Sequence, residues 1–214
     1  RRIRIARRTG LPWAGIGLGA DGLTTDRGRS QVRRMLTGHT AIAVRDEASF
    51  DALKALGVER IVRAADLAFL AEVPQVSGDG VLGVCLRAPQ SGRFRPGALD
   101  NGHRWRDGQA ASMATALDDT ASATGLTVRF LAFDARSDGV VHRQVAERMT
   151  TAAEVVEPEL DGLVAALARV DAMATMRYHG AVLAALGGAG VVVLPFSPKL
   201  RSIADDLGPG ATVL

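Results

Sequence analysis

Residues 171–200 read DAMATMRYHG AVLAALGGAG VVVLPFSPKL. Apolar 171–175 predicts a strand and 179–186 a helix. Gly187, Gly188 and Gly190 end that helix, 191–194 predicts the next strand, and a further helix covers 200–207 after Lys199 opens it. Strands this apolar, alternating with helices, imply a parallel sheet covered on both faces. Ligands of such sheets bind at the carboxyl ends of the strands, where a helix N-terminus presents N–H groups and the positive end of its dipole to an anion. Arg177-Tyr178-His179 falls at that junction, and Ser197-Pro198-Lys199 follows the next strand. The stretch therefore predicts an anion-handling site.

The same alternation extends outward. Upstream, 81–86, 127–133 and 154–156 read as strands, and 109–123, 138–149 and 160–169 as helices. Further back, 13–18, 40–44 and 60–63 read as short strands, and 27–36 and the segment after Asp46 as helices, the second closed by Gly57. Residues 1–8 read as the basic end of a helix stopped by Gly10. Pro74, Ser77, Gly78 and Gly80 mark a linker. The expected organisation is a partial first Rossmann-like domain over 1–73, a linker over 74–80 and a second Rossmann-like domain over 81–214. A start at Arg1 with no opening strand, and an end read as following directly on a helix, point to an internal fragment.

Composition narrows the class. The 214 residues are 47% hydrophobic, enough for a substantial core. The net charge is +3, but basic residues are scattered and aromatics make up only 4%, which argues against nucleic-acid binding. A single cysteine, Cys85, excludes an internal disulfide, fits a reducing compartment and reads as a small buried hydrophobe in the run 81–86. The uncharged stretch 180–196 is broken by glycines and Pro195, so no membrane span is expected, and no secretory leader is visible. Four histidines at scattered spacing carry no metal signature.

Candidate site residues follow from chemistry. In an extended turn residues i and i+2 point the same way, so Arg177 and His179 are expected to address one ligand. Arginine offers a planar fork to carboxylate or phosphate, and histidine moves protons near neutrality. Lys199 is one of only two lysines among 26 Lys and Arg residues, the other being Lys54. Arg87 ends the strand 81–86 as a further cation, with an ordinary edge arginine as its alternative. In Arg45-Asp46-Glu47, Asp46 reads as a helix cap and Glu47 as a first-turn charge, leaving Arg45 as the functional candidate. The pairs Asp118-Asp119 and Asp205-Asp206 read as solvated surface charge. The loop 88–107, with Arg93, Arg95, His103, Arg104 and Arg106 around Trp105, reads as a grip for an anionic or sugar acceptor or as an ordinary basic loop.

Taken in order, Val44-Arg45-Asp46-Glu47-Ala48-Ser49, Leu56-Gly57-Val58, Ala65-Asp66-Leu67-Ala68-Phe69, and Met176-Arg177-Tyr178-His179 through Gly188 to Ser197-Pro198-Lys199 and Leu207-Gly208 resemble the polysaccharide pyruvyl transferase family. The resemblance implies two Rossmann-like domains in a GT-B-like arrangement, the first apparently truncated. It implies transfer of a pyruvyl group from phosphoenolpyruvate to a sugar of a cell-surface polysaccharide as a ketal. It places the family's Arg-x-His motif on Arg177 and His179, which are implied to hold and process phosphoenolpyruvate, and the family's strand-end arginine on Arg87. With the chemistry of the residues this gives His179 as catalytic and Arg177, Arg87, Lys199, Ser197 and Arg45 as substrate-binding candidates. No cofactor is implied beyond phosphoenolpyruvate as donor. The partner is a sugar or glycan acceptor, lipid-linked or free, the location cytoplasmic or peripheral at the inner membrane face, and homo-oligomerisation is compatible. Departures from the family pattern are Gly190 and Leu67 where proline is common, and Ser197 where an acidic residue is common. Two other readings stay open: a nucleotide-sugar glycosyltransferase or sugar epimerase on the same plan, and an inert anion-binding domain.

Overall fold

The structure, a computed structural model, describes residues 8–20, 23–75, 78–88, 104–195 and 198–214. The chain divides into two compact units, 1–70 and 71–214.

The first unit holds a parallel sheet of order β1 (Ala14–Leu18), β2 (Ala41–Val44), β3 (Ile61–Arg63). Helices α1 (Asp26–Leu36) and α2 (Glu47–Ala55) connect the strands. The alternate residues Ile42 and Val44 of β2 turn one face into a small core with Leu36 and Leu53. Each helix begins where a side chain takes up an otherwise unpaired N–H: Thr25 Oγ1 accepts from Gly28 N at 3.1 Å, and Asp46 Oδ1 from Ser49 N at 2.7 Å. Gly57, at φ +71°, turns the chain out of α2 in a conformation that an L side chain disfavours.

The second unit carries six parallel strands in the order β6-β5-β4-β7-β8-β9. These are β4 (Val81–Cys85), β5 (Thr127–Leu131), β6 (Ala153–Val156), β7 (Ala172–Thr175), β8 (Gly190–Val193) and β9 (Ala211–Val213). Between them run α3 (Asp107–Thr124), α4 (Asp138–Ala146), α5 (Leu160–Leu167), α6 (Tyr178–Leu186) and α7 (Pro198–Leu207). Counted from β4, the order is that of the doubly wound dinucleotide-binding sheet, and its direction of winding reverses between β4 and β7. All five residues of β4 are buried, as a strand covered on both faces requires. Leu82, Val84 and Leu86 pack with Val128 and Phe130 of β5 and with Ala114, Leu117, Val141 and Val145 from α3 and α4.

Three sequence expectations need correction. The chain does not end on a helix: after Leu207 a 3-10 turn leads into β9, which pairs with β8. The described part of 74–80 is packed on the second unit, with Gln75 donating to the Leu186 carbonyl and Arg169 to Asp79. Asp118 is not idle surface charge, since its two oxygens accept from the backbone and hydroxyl groups of both Thr150 and Thr151 at 2.6–2.9 Å. These four bonds hold its carboxyl well below the ordinary range. The expectation for residues 1–8 falls almost wholly outside the described residues.

Gly83 gives the tightest test of this packing. A Cβ there would lie 2.7 Å from Met173 Sδ and 2.8 Å from Val170 Cγ1, in the middle of the buried sheet. Gly83→Ala is expected to destabilise the protein by about 1–3 kcal/mol in urea unfolding. Gly190→Ala in β8, where a Cβ meets nothing within 4 Å, is expected to stay within about 0.5 kcal/mol or to stabilise slightly. Equal effects would mean that the β4 packing is wrong.

Candidate active site

The carboxyl ends of β4 and β7 lie side by side, Cys85 opposite Thr175, and Met176 N continues the pairing to the Cys85 carbonyl at 2.8 Å. Arg87 and Arg177 therefore leave the sheet at neighbouring positions on the two strands that flank the reversal in winding. Thr175 makes a tight exit from β7, its Oγ1 accepting from Arg177 N at 2.9 Å and donating to the Arg177 carbonyl at 3.2 Å. Arg177 is thereby held extended, at φ −110° and ψ 127°, as the N-cap of α6. Gly180 is required one turn on, because a Cβ there would lie 2.5 Å from Thr175 Oγ1.

The Arg177 guanidinium is clamped by Asp138, the first residue of α4. Nε donates to Oδ2 at 3.1 Å and Nη2 to Oδ1 at 2.5 Å, and Nη2 also reaches Ser137 Oγ at 3.3 Å. Asp138 is fully buried and additionally accepts from Asp134 N at 3.0 Å and from Ser137 Oγ at 3.3 Å. Such a two-bond fork fixes the plane of the arginine. Nη1 of Arg177 makes no hydrogen bond among the described residues and remains available to a ligand.

The surrounding charges decide the electrostatics of these strand ends. Burial opposes the charge of Arg177, but the hydrogen bonds and negative charge of Asp138 outweigh it and raise its pKa. For Arg87 burial and the nearby positive Arg177 together lower the pKa, with Asp138 and Asp134 compensating only in part. Burial and the positive Arg177 both disfavour the charge of Arg87, and a bound anion would offset both. Desolvation opposes the Asp134 charge, yet hydrogen bonds from Ser137 and Arg136 and the charge of Arg177 keep its pKa low. Burial, reinforced by Asp138, pushes the Cys85 thiol far up, so this cysteine is an inert packing residue.

Of the sequence candidates, Arg87 and Arg177 meet here. His179 does not follow the extended-turn argument: α6 already begins at Tyr178, so His179 is the second helical residue, exposed, with its ring edge-on to Tyr178 at 5.6 Å. Lys199 stands in the first turn of α7, after β8, but its side chain lies outside the described residues, as does Ser197 entirely. Arg45 sits in the first unit at the exit of β2, engaged with Asp66 at 2.9 Å and Asp46 at 3.4 Å. Of the 88–107 loop, residues 89–103 lie outside the described residues, while Trp105 is tied to Gln144 and to the Arg87 carbonyl.

Sequence reading missed Ser137, Asp138 and His142. The signal was the polar run Asp134-Ala135-Arg136-Ser137-Asp138, which separates β5 from α4 at the same sheet edge. His142 is completely buried, and its Nε2 accepts from Leu86 N at 2.9 Å, so in the neutral ring the proton resides on Nδ1. Burial pushes its pKa down to about 4. Among the described residues no group of metal-ligating side chains is arranged to hold an ion, and no helix is long and apolar enough to cross a membrane.

His142 carries a pH signature. Its folded pKa lies below the unfolded value of 6.5, so unfolding takes up a proton between the two values. Stability should therefore fall as pH drops from about 6.5 to about 4, by about 3 kcal/mol from this residue. Denaturant titrations should show a shallower loss over that window for His142→Gln, and identical slopes would exclude a buried neutral imidazole.

Comparison with known proteins agrees with this architecture. In solved structures, the UDP-GlcNAc 2-epimerase from Methanocaldococcus jannaschii superposes at TM-score 0.57 and 11% identity, covering 99% of this chain and 62% of its own. TarM superposes at TM-score 0.53 and 10% identity, covering 92% of this chain and 43% of its own. The chain thus spans less than two thirds of either protein, and at this identity the likeness concerns the fold, two Rossmann-like α/β units of the GT-B-like class. No curated protein sequence matches it. The sequence model of the polysaccharide pyruvyl transferases matches residues 1–198, and the chain belongs to that family of transferases.

Proposed function

We propose that the protein transfers a pyruvyl group from phosphoenolpyruvate to a sugar of a cell-surface polysaccharide, forming a ketal, with the donor seated at the exits of β4 and β7. The observation that carries the reading is the pair of strand-end arginines, Arg87 and the Asp138-clamped Arg177, at the reversal point of the sheet in a chain of this family. Phosphoenolpyruvate carries a carboxylate and a phosphate ester. Arg177 supplies directed N–H donors, Arg87 supplies charge, and the N-terminus of α6 adds its dipole. Lys199 and Ser197, at the start of α7 and just before it, complete the proposed binding set of the second unit, and Arg45 is a separate substrate-binding candidate of the first unit.

The reaction needs a proton at the methylene carbon and nucleophiles at its neighbour. Protonation of the methylene makes the methyl group, a sugar hydroxyl oxygen bonds to the central carbon, and the bond from that carbon to the phosphate oxygen breaks. A second hydroxyl then closes the ketal. Of the two hydroxyl protons lost, one balances that gained by the methyl carbon and the other leaves with inorganic phosphate. His179, at the start of α6 and accessible to solvent, is the proposed acid–base group. Arg87 and Arg177 stabilise the departing phosphate. The acceptor is a glycan, lipid-linked or free, met on the cytoplasmic side.

The complete protein, given phosphoenolpyruvate and a competent glycan, is expected to release phosphate and to yield a product with a ketal methyl signal by NMR. Arg177→Ala should weaken donor binding about 10- to 100-fold, the loss of charge-assisted hydrogen bonds. His179→Gln should lower kcat by about 100-fold or more while donor affinity stays near that of the parent. Binding of uridine nucleotides without phosphoenolpyruvate turnover would replace this reading by nucleotide-sugar chemistry.

A further inference from the structure

Helix α4 touches the site through more than Asp138. One turn on, His142 takes the Leu86 N–H on Nε2 at 2.9 Å, immediately before Arg87. Half a turn further, Gln144 grips the Trp105 backbone from both sides, accepting from its N–H at 3.0 Å and donating to its carbonyl at 2.8 Å. Trp105 in turn donates its indole Nε1–H to the Arg87 carbonyl at 3.0 Å. The Arg87 N–H meets Met176 Sδ at 3.5 Å, beside Arg177. The two peptide groups that flank Arg87 and the Cys85–Leu86 peptide before them are thus fixed, and two of the three contacts trace back to α4.

We infer that α4 is the jig of the donor site, in which His142 and the Gln144–Trp105 pair are positioning residues that aim Arg87 at the ligand held by Asp138-clamped Arg177. The inference rests on the reading of Arg87 and Arg177 as the phosphoenolpyruvate site. Its physical basis is that a β-strand has no side-chain anchor beyond its last ladder bond, so the direction in which Arg87 leaves is set by whatever pairs with the Leu86 N–H and the Arg87 carbonyl. Both groups sit where water is largely excluded, so each needs its partner. His142 is suited to the first because its ring, buried beside Phe130 at 5.2 Å between centroids, stays neutral and keeps the Nε2 lone pair. The glutamine suits the second because a side-chain amide can donate to and accept from one backbone residue at once.

The experiment measures phosphoenolpyruvate affinity of the complete protein by calorimetry for His142→Leu, His142→Gln, Trp105→Phe, Arg87→Ala and the doubles His142→Leu/Arg87→Ala and Trp105→Phe/Arg87→Ala, alongside thermal unfolding. His142→Leu removes the acceptor, while His142→Gln restores one at the Nε2 position. Trp105→Phe removes the indole donor with little change of shape, and keeps the test alive should His142→Leu not fold. The expected result is about a tenfold loss of affinity for His142→Leu and for Trp105→Phe, substantial recovery in His142→Gln, and no further loss when either is combined with Arg87→Ala. If Arg87→Ala weakens binding but His142→Leu and Trp105→Phe merely lower the unfolding temperature, or add independently to Arg87→Ala, the jig is overturned and the donor site stands. If Arg87→Ala binds phosphoenolpyruvate like the parent, the donor-site reading fails for Arg87 and the jig falls with it.

Discussion

The ion pair between Asp138 and Arg177 is the constraint on which the site depends. A carboxylate with no solvent exposure is tolerable only when its oxygens are occupied, and here both are, by the guanidinium fork, by Ser137 and by the Asp134 amide. Removing one partner would strand the other as a buried charge, a loss of about 3–5 kcal/mol. The pair ties the start of α4 to the start of α6, elements 39 residues apart in sequence. Held in that way, Arg177 cannot swing toward solvent, and its remaining N–H groups keep one direction before any ligand arrives. Preorganisation of this kind is what lets donors act on a transferring group without reorganising at the moment of reaction.

The sheet makes this arrangement possible. Because β4 lies between β5 and β7, the chain leaves its centre in opposite windings, and ligands of sheets so wound bind outside the carboxyl ends of the strands at that point. Thr175 and Gly180 keep α6 close against β7, which brings the helix dipole to the same edge. Cys85, unreactive under these surroundings, fills space beneath the two arginines. At this edge Arg177 is pinned by Asp138, while burial and the neighbouring Arg177 lower the pKa of Arg87.

The parts legible in the sequence were those carried by local pattern. The apolar runs of β4 and β8, the Asp46 cap, the Gly57 stop and the alternation of strand and helix all state their structure within a few residues, and the α/β class followed from them. Arg87 and Arg177 could be placed because a strand end is itself a local feature. What escaped reading is nonlocal. Asp138 reads as an ordinary first-turn acid until β7 brings Arg177 to it, and His142 reads as one more residue of an amphipathic helix until Leu86 meets its ring. Asp118 likewise becomes the acceptor of four hydrogen bonds only when Thr150 and Thr151, beyond the end of α4, arrive at it. The extended-turn argument for Arg177 and His179 loses its premise for a smaller reason: the helix starts at Tyr178, one residue before the expected 179, so His179 follows the helical period. The strand Ala211–Val213 is only three residues long and follows a Gly-Pro-Gly turn, too short to carry a pattern of its own.

The central claim is that phosphoenolpyruvate is held by Arg87 and Arg177 where the sheet reverses its winding. A crystal structure of the protein with phosphoenolpyruvate bound tests it most directly. The account places an anionic group of the donor within hydrogen-bond distance of Arg177 Nη1 and of the Arg87 guanidinium, with the Asp138 fork intact. A donor bound elsewhere, with both arginines untouched, or an Asp138–Arg177 pair that opens to admit it, would contradict the account.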